Sequence, residues 1–138
     1  MKKMVPVGIC LLGLAVAVAR PQAHHAFAAE FDPDKVVTLT GSVVQMEWVS
    51  PHSWLTLEVK GKDGKSEQWS LEFGPPNALF RKGWRKGSLM PGMNISAKGF
   101  LSRDGRKVVN AGNVTLPDGR VLNAQAPSSA LEAPPEKK

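Results

Sequence analysis

Short runs of alternating polar and apolar residues, separated by glycine and proline, most restrict the fold of this 138-residue chain. The chain contains 13 glycines and 11 prolines, and Asp-Gly pairs at Asp63-Gly64, Asp104-Gly105 and Asp118-Gly119 follow alternating runs. Asp-Gly favours tight hairpin turns because both residues tolerate a positive φ. The pattern therefore predicts antiparallel strands joined by short turns.

Five main strands are predicted from the alternation, and Gly41 inside the first predicts a bulge or a sharp bend. A short helix, Ala78–Lys82, is expected after the third strand, because Asn77 can cap its start and Gly83 can end it. The predicted strands are Val36–Val49, Ser53–Val59, Glu67–Phe73, Met93–Leu101 and Val108–Leu116, and a short segment, Val121–Leu122, follows them.

Three strands, a short helix and two further strands are the order of elements in an OB fold. The sequence therefore predicts an all-β domain with one short helix, arranged as a five-stranded OB-like Greek-key barrel. An open antiparallel sheet or a small sandwich built from the same strands is the alternative.

The first 23 residues have the pattern of a secretory signal peptide. A positive start, Met1–Met4, precedes the apolar run Val5–Val18, and small residues follow it. A membrane-spanning helix needs about 20 apolar residues, so this run is short for an uncleaved anchor, which is the alternative. We therefore expect a signal peptide at 1–23, a barrel domain at 24–123, a disordered tail at 124–138, and a periplasmic or secreted location.

Removal of this segment changes the chemistry that is available to the chain. The single cysteine, Cys10, is lost with it, which excludes disulfides, thiolate metal sites and thiol nucleophiles. The loss of Lys2, Lys3 and Arg20 leaves 15 basic and 12 acidic side chains, and thus lowers the formal net charge from +6 to +3. A formal net charge of only +3 in an exported protein argues against nucleic acid as a partner.

Four blocks of residues, in this order, resemble a family of small exported bacterial proteins that is known only as a domain of unknown function. The resemblance covers His24 to about Leu122. It implies export and a β-rich fold, and it implies no activity. The blocks are His24–Asp32, Glu47–Trp54, Gly74–Trp84 and Leu116–Arg120.

Three histidines remain after signal cleavage, and they are candidate ligands for copper or zinc: His24, His25 and His52. A cut after Ala23 gives His24 a free α-amine, which can chelate copper together with its imidazole, whereas a cut after Ala19 does not. Histidines that are simply solvated are the alternative, because no Cys-x-x-Cys or His-Glu-x-x-His spacing is present.

A second candidate site combines aromatic and basic residues. Trp48 and Trp54 flank the loop that contains His52, and a cluster of four cations surrounds Trp84. A ligand surface for anionic components is one interpretation. Burial of the indoles under Phe27 and Phe31, beside a solvated helix end, is the other. The residues assigned to this surface are Trp48, Trp54, Arg81, Lys82, Trp84, Arg85 and Lys86.

These observations predict a non-enzymatic binding module of the envelope. The chain lacks a nucleophile elbow, a calcium loop and a glycine-rich phosphate loop. Metal binding through the histidines is the first hypothesis. Recognition of an anionic envelope ligand, a protein or an anionic membrane surface is the second.

The signal-peptide prediction has a direct test. N-terminal sequencing and intact mass of the exported protein are expected to find Arg20 or His24 as the first residue, because Ala17-Val18-Ala19 is a small-x-small site and Pro21-Gln22-Ala23 is a poorer match to one. An exported protein that retains Met1 would contradict the prediction.

Overall fold

A computed structural model describes residues 23–125 of the chain, with side chains from Phe27 onward. The predicted signal peptide, apart from Ala23, and the predicted tail from residue 126 lie outside these residues. The described part is mostly β, as expected. Its elements are α1 (Ala23–Glu30), β1 (Phe31–Glu47), β2 (Trp54–Lys60), β3 (Ser66–Glu72), α2 (Pro76–Arg81), β4 (Asn94–Ser102), β5 (Val108–Thr115) and β6 (Val121–Asn123).

The six strands form one sheet in the order β3-β2-β1-β4-β5-β6, and the neighbours in this order are antiparallel. β3 makes an additional, parallel pairing with β5. In this pairing Ser70 lies opposite Val108, Leu71 opposite Val109, and Glu72 opposite Asn110. β3 and β5 are the first and the fifth strand in the sheet order. The additional pairing therefore makes the two ends of this five-strand series neighbours as well.

β1 is long because it pairs with two partners in succession. Its first part, as far as Ser42, pairs with β4, and from Ser42 onward it pairs with β2. Gly41 lies where the partners change, and a Cβ atom there would collide with the backbone carbonyl of Glu58 on β2. The irregularity expected at Gly41 is a close backbone approach, and the register shift lies between Val43 and Gln45.

The core lies on one face of the sheet, where the alternation places the apolar side chains. Leu79 of α2 and Trp84 cover it and are fully buried. Burial of Leu79 in the core explains why a short helix forms after β3, where one was expected. The strand residues of the core are Val43, Leu55, Leu57, Leu71, Ile95, Ala97, Val109, Ala111 and Val114.

Two expectations about the helices need correction. α2 begins at Pro76 after an extended Pro75, and no side chain caps it; Asn77 Oδ1 accepts only the N–H of Ala78. Proline suits the first helical turn because its missing N–H is not needed there. Gly83 follows the helix with a φ of 97°, as its position predicted. α1 was not expected at all.

α1 packs against the outer face of the sheet, which we define as the face opposite the core. The ring centroids of Phe27 and Phe31 are 5.4 Å apart, and Phe27 meets Phe100 of β4 edge-on at 5.8 Å. Phe27 and Phe31 thus form a small second apolar cluster with Phe100, whereas the rings beside Trp48 are Phe80 and Trp84.

The ordered domain extends beyond the predicted boundary at residue 123. Ala124 and Gln125 are both buried. The carbonyl of Ala124 accepts the N–H of Gly74 at 2.8 Å, and its N–H donates to the carbonyl of Gly112 at 2.7 Å. These contacts hold the first two residues of the predicted disordered tail against the domain.

The close approach at Gly41 predicts the effect of a single methyl group. Gly41→Ala should lower the free energy of unfolding by about 1–3 kcal/mol, because the added Cβ forces β1 away from β2. Gly87→Ala is the control, since a Cβ at Gly87 has no heavy atom within 4 Å. If urea denaturation finds the two variants equally stable, the close approach of β1 to β2 at Gly41 is contradicted.

Candidate functional site

Two separate places in the described domain combine charged and aromatic side chains. We call the first the α2 groove; it is lined by Phe80, Arg81, Arg85 and Lys86. We call the second the outer-face pair; it consists of His52 and Glu72. Some residues of each place were identified in the sequence analysis, and in the structure the two places are distinct.

The α2 groove arises from the way the chain leaves α2. After Gly83 the chain turns, so that Trp84 enters the core while Arg85 and Lys86 stay exposed beside the helix. The groove has a volume of about 540 Å³. Half-buried Phe80 supplies its apolar floor and stacks on Trp48, with ring centroids 5.5 Å apart. The result is an apolar surface bordered by cations.

Among the described residues that line the groove, three are cations and none is a carboxylate, so their charge is entirely positive. The Arg85 guanidinium donates to the carbonyl of Phe80 at 3.0 Å and to that of Trp84 at 2.6 Å. It is therefore held in place before any ligand arrives. Arg81 and Lys86 are exposed at the rim.

Lys82 was assigned to the ligand surface, and the structure gives it another role. Its ammonium donates to Asn123 Oδ1 at 2.7 Å and to the carbonyl of Gln125 at 2.6 Å. Partial burial lowers the pKa of Lys82 below its usual value. Lys82 thus anchors the end of the ordered domain and does not line the groove.

Trp84 also needs correction. It is fully buried, packs on Phe73 with ring centroids 5.4 Å apart, and donates from Nε1 to the carbonyl of Asn123 at 2.8 Å. It is a core residue and does not contact the solvent. The four surrounding cations suggested a surface indole, because the sequence does not show that Gly83 turns the chain inward.

The outer-face pair joins the loop after β1 to the end of β3. His52 Nδ1 lies 2.5 Å from Glu72 Oε1. The loop is fixed by backbone bonds at Ser53, whose carbonyl accepts the N–H of Phe73 at 2.8 Å and whose N–H donates to Gly74 at 3.2 Å. Alternation places Glu72 on the outer face, between the core residues Leu71 and Phe73.

Glu72 is buried although it faces away from the core, and it is 4% exposed. Burial raises the pKa of Glu72 above its usual value; the adjacent His52 opposes this shift, and the negative charge of Glu30 adds to it. Asn110, its register partner on β5, is 2% exposed, and its Oδ1 has no hydrogen-bond partner among the described residues. A buried polar row thus crosses from β3 to β5.

The two tryptophans expected to flank one surface belong to different places. Trp48 is half-buried, stacks on Phe80 at the α2 groove and meets Trp84 edge-on at 6.5 Å. Trp54 is half-buried on β2, where its register partner is Glu72. Trp48 therefore borders the groove, and Trp54 borders the outer-face pair.

The predicted metal ligands are only partly described. His24 and His25 belong to α1, but their side chains lie outside the described part of the chain. His52 is described and contacts Glu72. Among the side chains that the structure describes, no three of His, Cys, Asp or Glu are placed to hold a metal ion.

Glu72 and Phe80 are the residues that sequence reasoning missed. Glu72 occupies an outward position in an alternating strand, which normally indicates exposure to solvent. Glu72 contacts His52 of the loop after β1 and pairs with Asn110 on β5, and strand alternation reveals neither contact. Phe80 was treated only as part of a short helix, and its stacking on Trp48 joins residues 32 positions apart.

These features define a small, mostly β domain with a basic groove beside its second helix and a buried glutamate–histidine contact on its outer face. The chain belongs to the family of unknown function DUF6152, whose model matches residues 12–111. This confirms the resemblance to a domain of unknown function. No curated protein and no solved structure matches the chain. In residues 23–125, neither helix has the length and apolar character that crossing a membrane requires.

The placement of Trp84 can be tested through stability. Trp84→Phe should lower the free energy of unfolding by about 1–3 kcal/mol, because the partly buried carbonyl of Asn123 loses its indole donor. Lys86→Ala, two residues away on the surface, should change it by less than about 0.5 kcal/mol. Equal stabilities of the two variants in thermal and urea unfolding would contradict a core role for Trp84.

Proposed function

We propose that the chain is an exported, non-enzymatic binding protein, periplasmic or secreted, which recognises the anionic headgroup of an envelope lipid at the α2 groove. The observation that carries this proposal is the groove itself: an apolar floor formed by Phe80 and a rim of Arg81, Arg85 and Lys86, with no carboxylate among the described residues that line it. The signal-peptide pattern and the family resemblance support export.

We further propose that the first five strands form an OB-like Greek-key barrel. The pairings of β1 with β2 and β4, and of β3 with β2 and β5, support it, because they link these five strands in a ring. The position of α2 between β3 and β4 fits the same fold. The β3–β5 pairing favours this arrangement over an open sheet, since an open sheet would leave β3 as an edge.

The chemistry of the groove favours a phosphate group with an apolar extension. Guanidinium groups bind phosphate oxygens through paired hydrogen bonds, and a cation that is already positioned loses less conformational entropy on binding. Arg85 is held by two carbonyls before binding. The Phe80–Trp48 stack offers an apolar surface on which the non-polar part of a lipid can rest.

The proposal is tested on vesicles of phosphatidylglycerol in phosphatidylcholine. The double variant Arg81→Gln/Lys86→Gln should bind them roughly 30-fold more weakly, because each cation near an anionic surface contributes about 1 kcal/mol. Arg85 is kept in this variant because its guanidinium supports the loop. Binding is measured by vesicle co-sedimentation at low and at physiological salt.

The matched control removes the same charge elsewhere. Lys62 and Lys65 are exposed in the β2–β3 turn, so Lys62→Gln/Lys65→Gln should bind as the wild type does. Pure phosphatidylcholine vesicles should retain none of the proteins. Inorganic phosphate is added as a competitor for the vesicles. Release of the protein from the vesicles would indicate that the groove binds a soluble anion, whereas continued binding would indicate a lipid headgroup. Equal loss in both double variants would show a general charge effect and would reject the groove.

A further inference from the structure

We propose that the loop between β1 and β2, residues 48–53, inserts Val49 into the apolar boundary of an anionic membrane while the α2 groove holds a phosphate headgroup. The partner is then the intact membrane surface, and not a single lipid that has been removed from it. This inference rests on the proposed function, because it assigns an orientation on the membrane to the domain whose groove binds the headgroup.

The loop begins at the floor of the α2 groove. The ring of Trp48 stacks on Phe80, with ring centroids 5.5 Å apart. Val49 follows Trp48 in the chain, so the Cα atoms of these two residues are about 3.8 Å apart. The side chain of Val49 is 46% exposed. An exposed apolar side chain therefore adjoins the surface on which the non-polar part of a lipid would rest, and the two form one continuous apolar area.

The loop and the groove differ in charge. Residues 48–53 read Trp-Val-Ser-Pro-His-Ser and contain no aspartate, glutamate, lysine or arginine. The cations come instead from Arg81, Arg85 and Lys86, which line the groove. Binding to a membrane interface increases with the apolar area that is buried and with the attraction to anionic lipids. Two neighbouring segments of this domain supply these two contributions separately.

The loop is held in one conformation before it meets a membrane. The backbone of Ser53 bonds to the chain just after β3, and its Oγ donates to the carbonyl of Val49 at 3.4 Å. His52 Nδ1 lies 2.5 Å from Oε1 of the buried Glu72. A segment that is already ordered loses less conformational entropy on binding than a flexible one. The outer-face pair therefore contributes to binding by fixing the loop that presents Val49.

The first test reports where Val49 lies when the protein is bound. Removal of the predicted signal peptide leaves no cysteine in the exported protein, so a thiol introduced by Val49→Cys can be labelled selectively with the polarity-sensitive dye NBD. On vesicles of phosphatidylglycerol in phosphatidylcholine, its emission should shift to the blue and become stronger. Val36→Cys is the matched control and should keep the emission that it has in buffer. Val36 is 42% exposed, and its register partner is Phe100, on which Phe27 of α1 packs.

The second test measures what the insertion contributes to affinity. Val49→Ser should bind the same vesicles about 4- to 10-fold more weakly, because the burial of a half-exposed valine is lost. Val36→Ser should bind as the wild type does. The loss in Val49→Ser should be the same at low and at physiological salt, since salt does not screen apolar burial. The loss in Arg81→Gln/Lys86→Gln should become smaller as salt rises.

The outcomes separate this inference from the proposed function. If the label at position 49 stays in water, or if Val49→Ser binds with full affinity, while Arg81→Gln/Lys86→Gln still binds weakly, the inference is overturned and the proposed function stands. A blue shift at position 36 in place of position 49 would also overturn the inference. Undiminished binding of Arg81→Gln/Lys86→Gln would reject the proposed function, and this inference with it.

Discussion

The parallel pairing of β3 with β5 is the contact on which the rest of the domain depends. Three residue pairs connect strands that would otherwise be separated by three others in the sheet. This pairing places Glu72 beside Asn110, and it fixes the strand end from which the chain passes into α2. Both candidate sites therefore depend on a contact between segments almost 40 residues apart, which local propensity does not encode.

Much of the sheet could be predicted, because alternation and turn chemistry are local properties. The Asp-Gly turns and the apolar faces of β2 to β5 agree with the observed strands to within about one residue. α1 and the first residues of β1 were missed, because Pro33 and two aspartates follow Phe31 and interrupt any alternation. These residues are held instead by long-range contacts, among them the Phe27–Phe100 ring contact and the bond from Arg103 N–H to the carbonyl of Glu30.

The sites were less predictable than the strands, since they depend on which way each side chain turns. The basic cluster beside Trp84 looks uniform in the sequence, yet its members have three different roles. Arg81 and Lys86 face solvent, Arg85 binds backbone carbonyls, and Lys82 holds residues more than 40 positions further along the chain. Glu72 shows the reverse: its outward position in the strand predicts exposure, yet it is buried, and it contacts His52 and pairs with Asn110 on β5.

The contacts of Asn123 have a consequence for the substitutions that this position can accept. The Trp84 indole bonds the backbone carbonyl of residue 123, and every amino acid supplies that atom. Lys82 bonds the side-chain oxygen of the same residue, which only a few amino acids can offer. A substitution at position 123 that removes the side-chain oxygen therefore breaks the bond from Lys82, while the bond from the tryptophan is kept. The two residues that close the domain beside α2 thus depend on position 123 in different ways, although they contact the same residue.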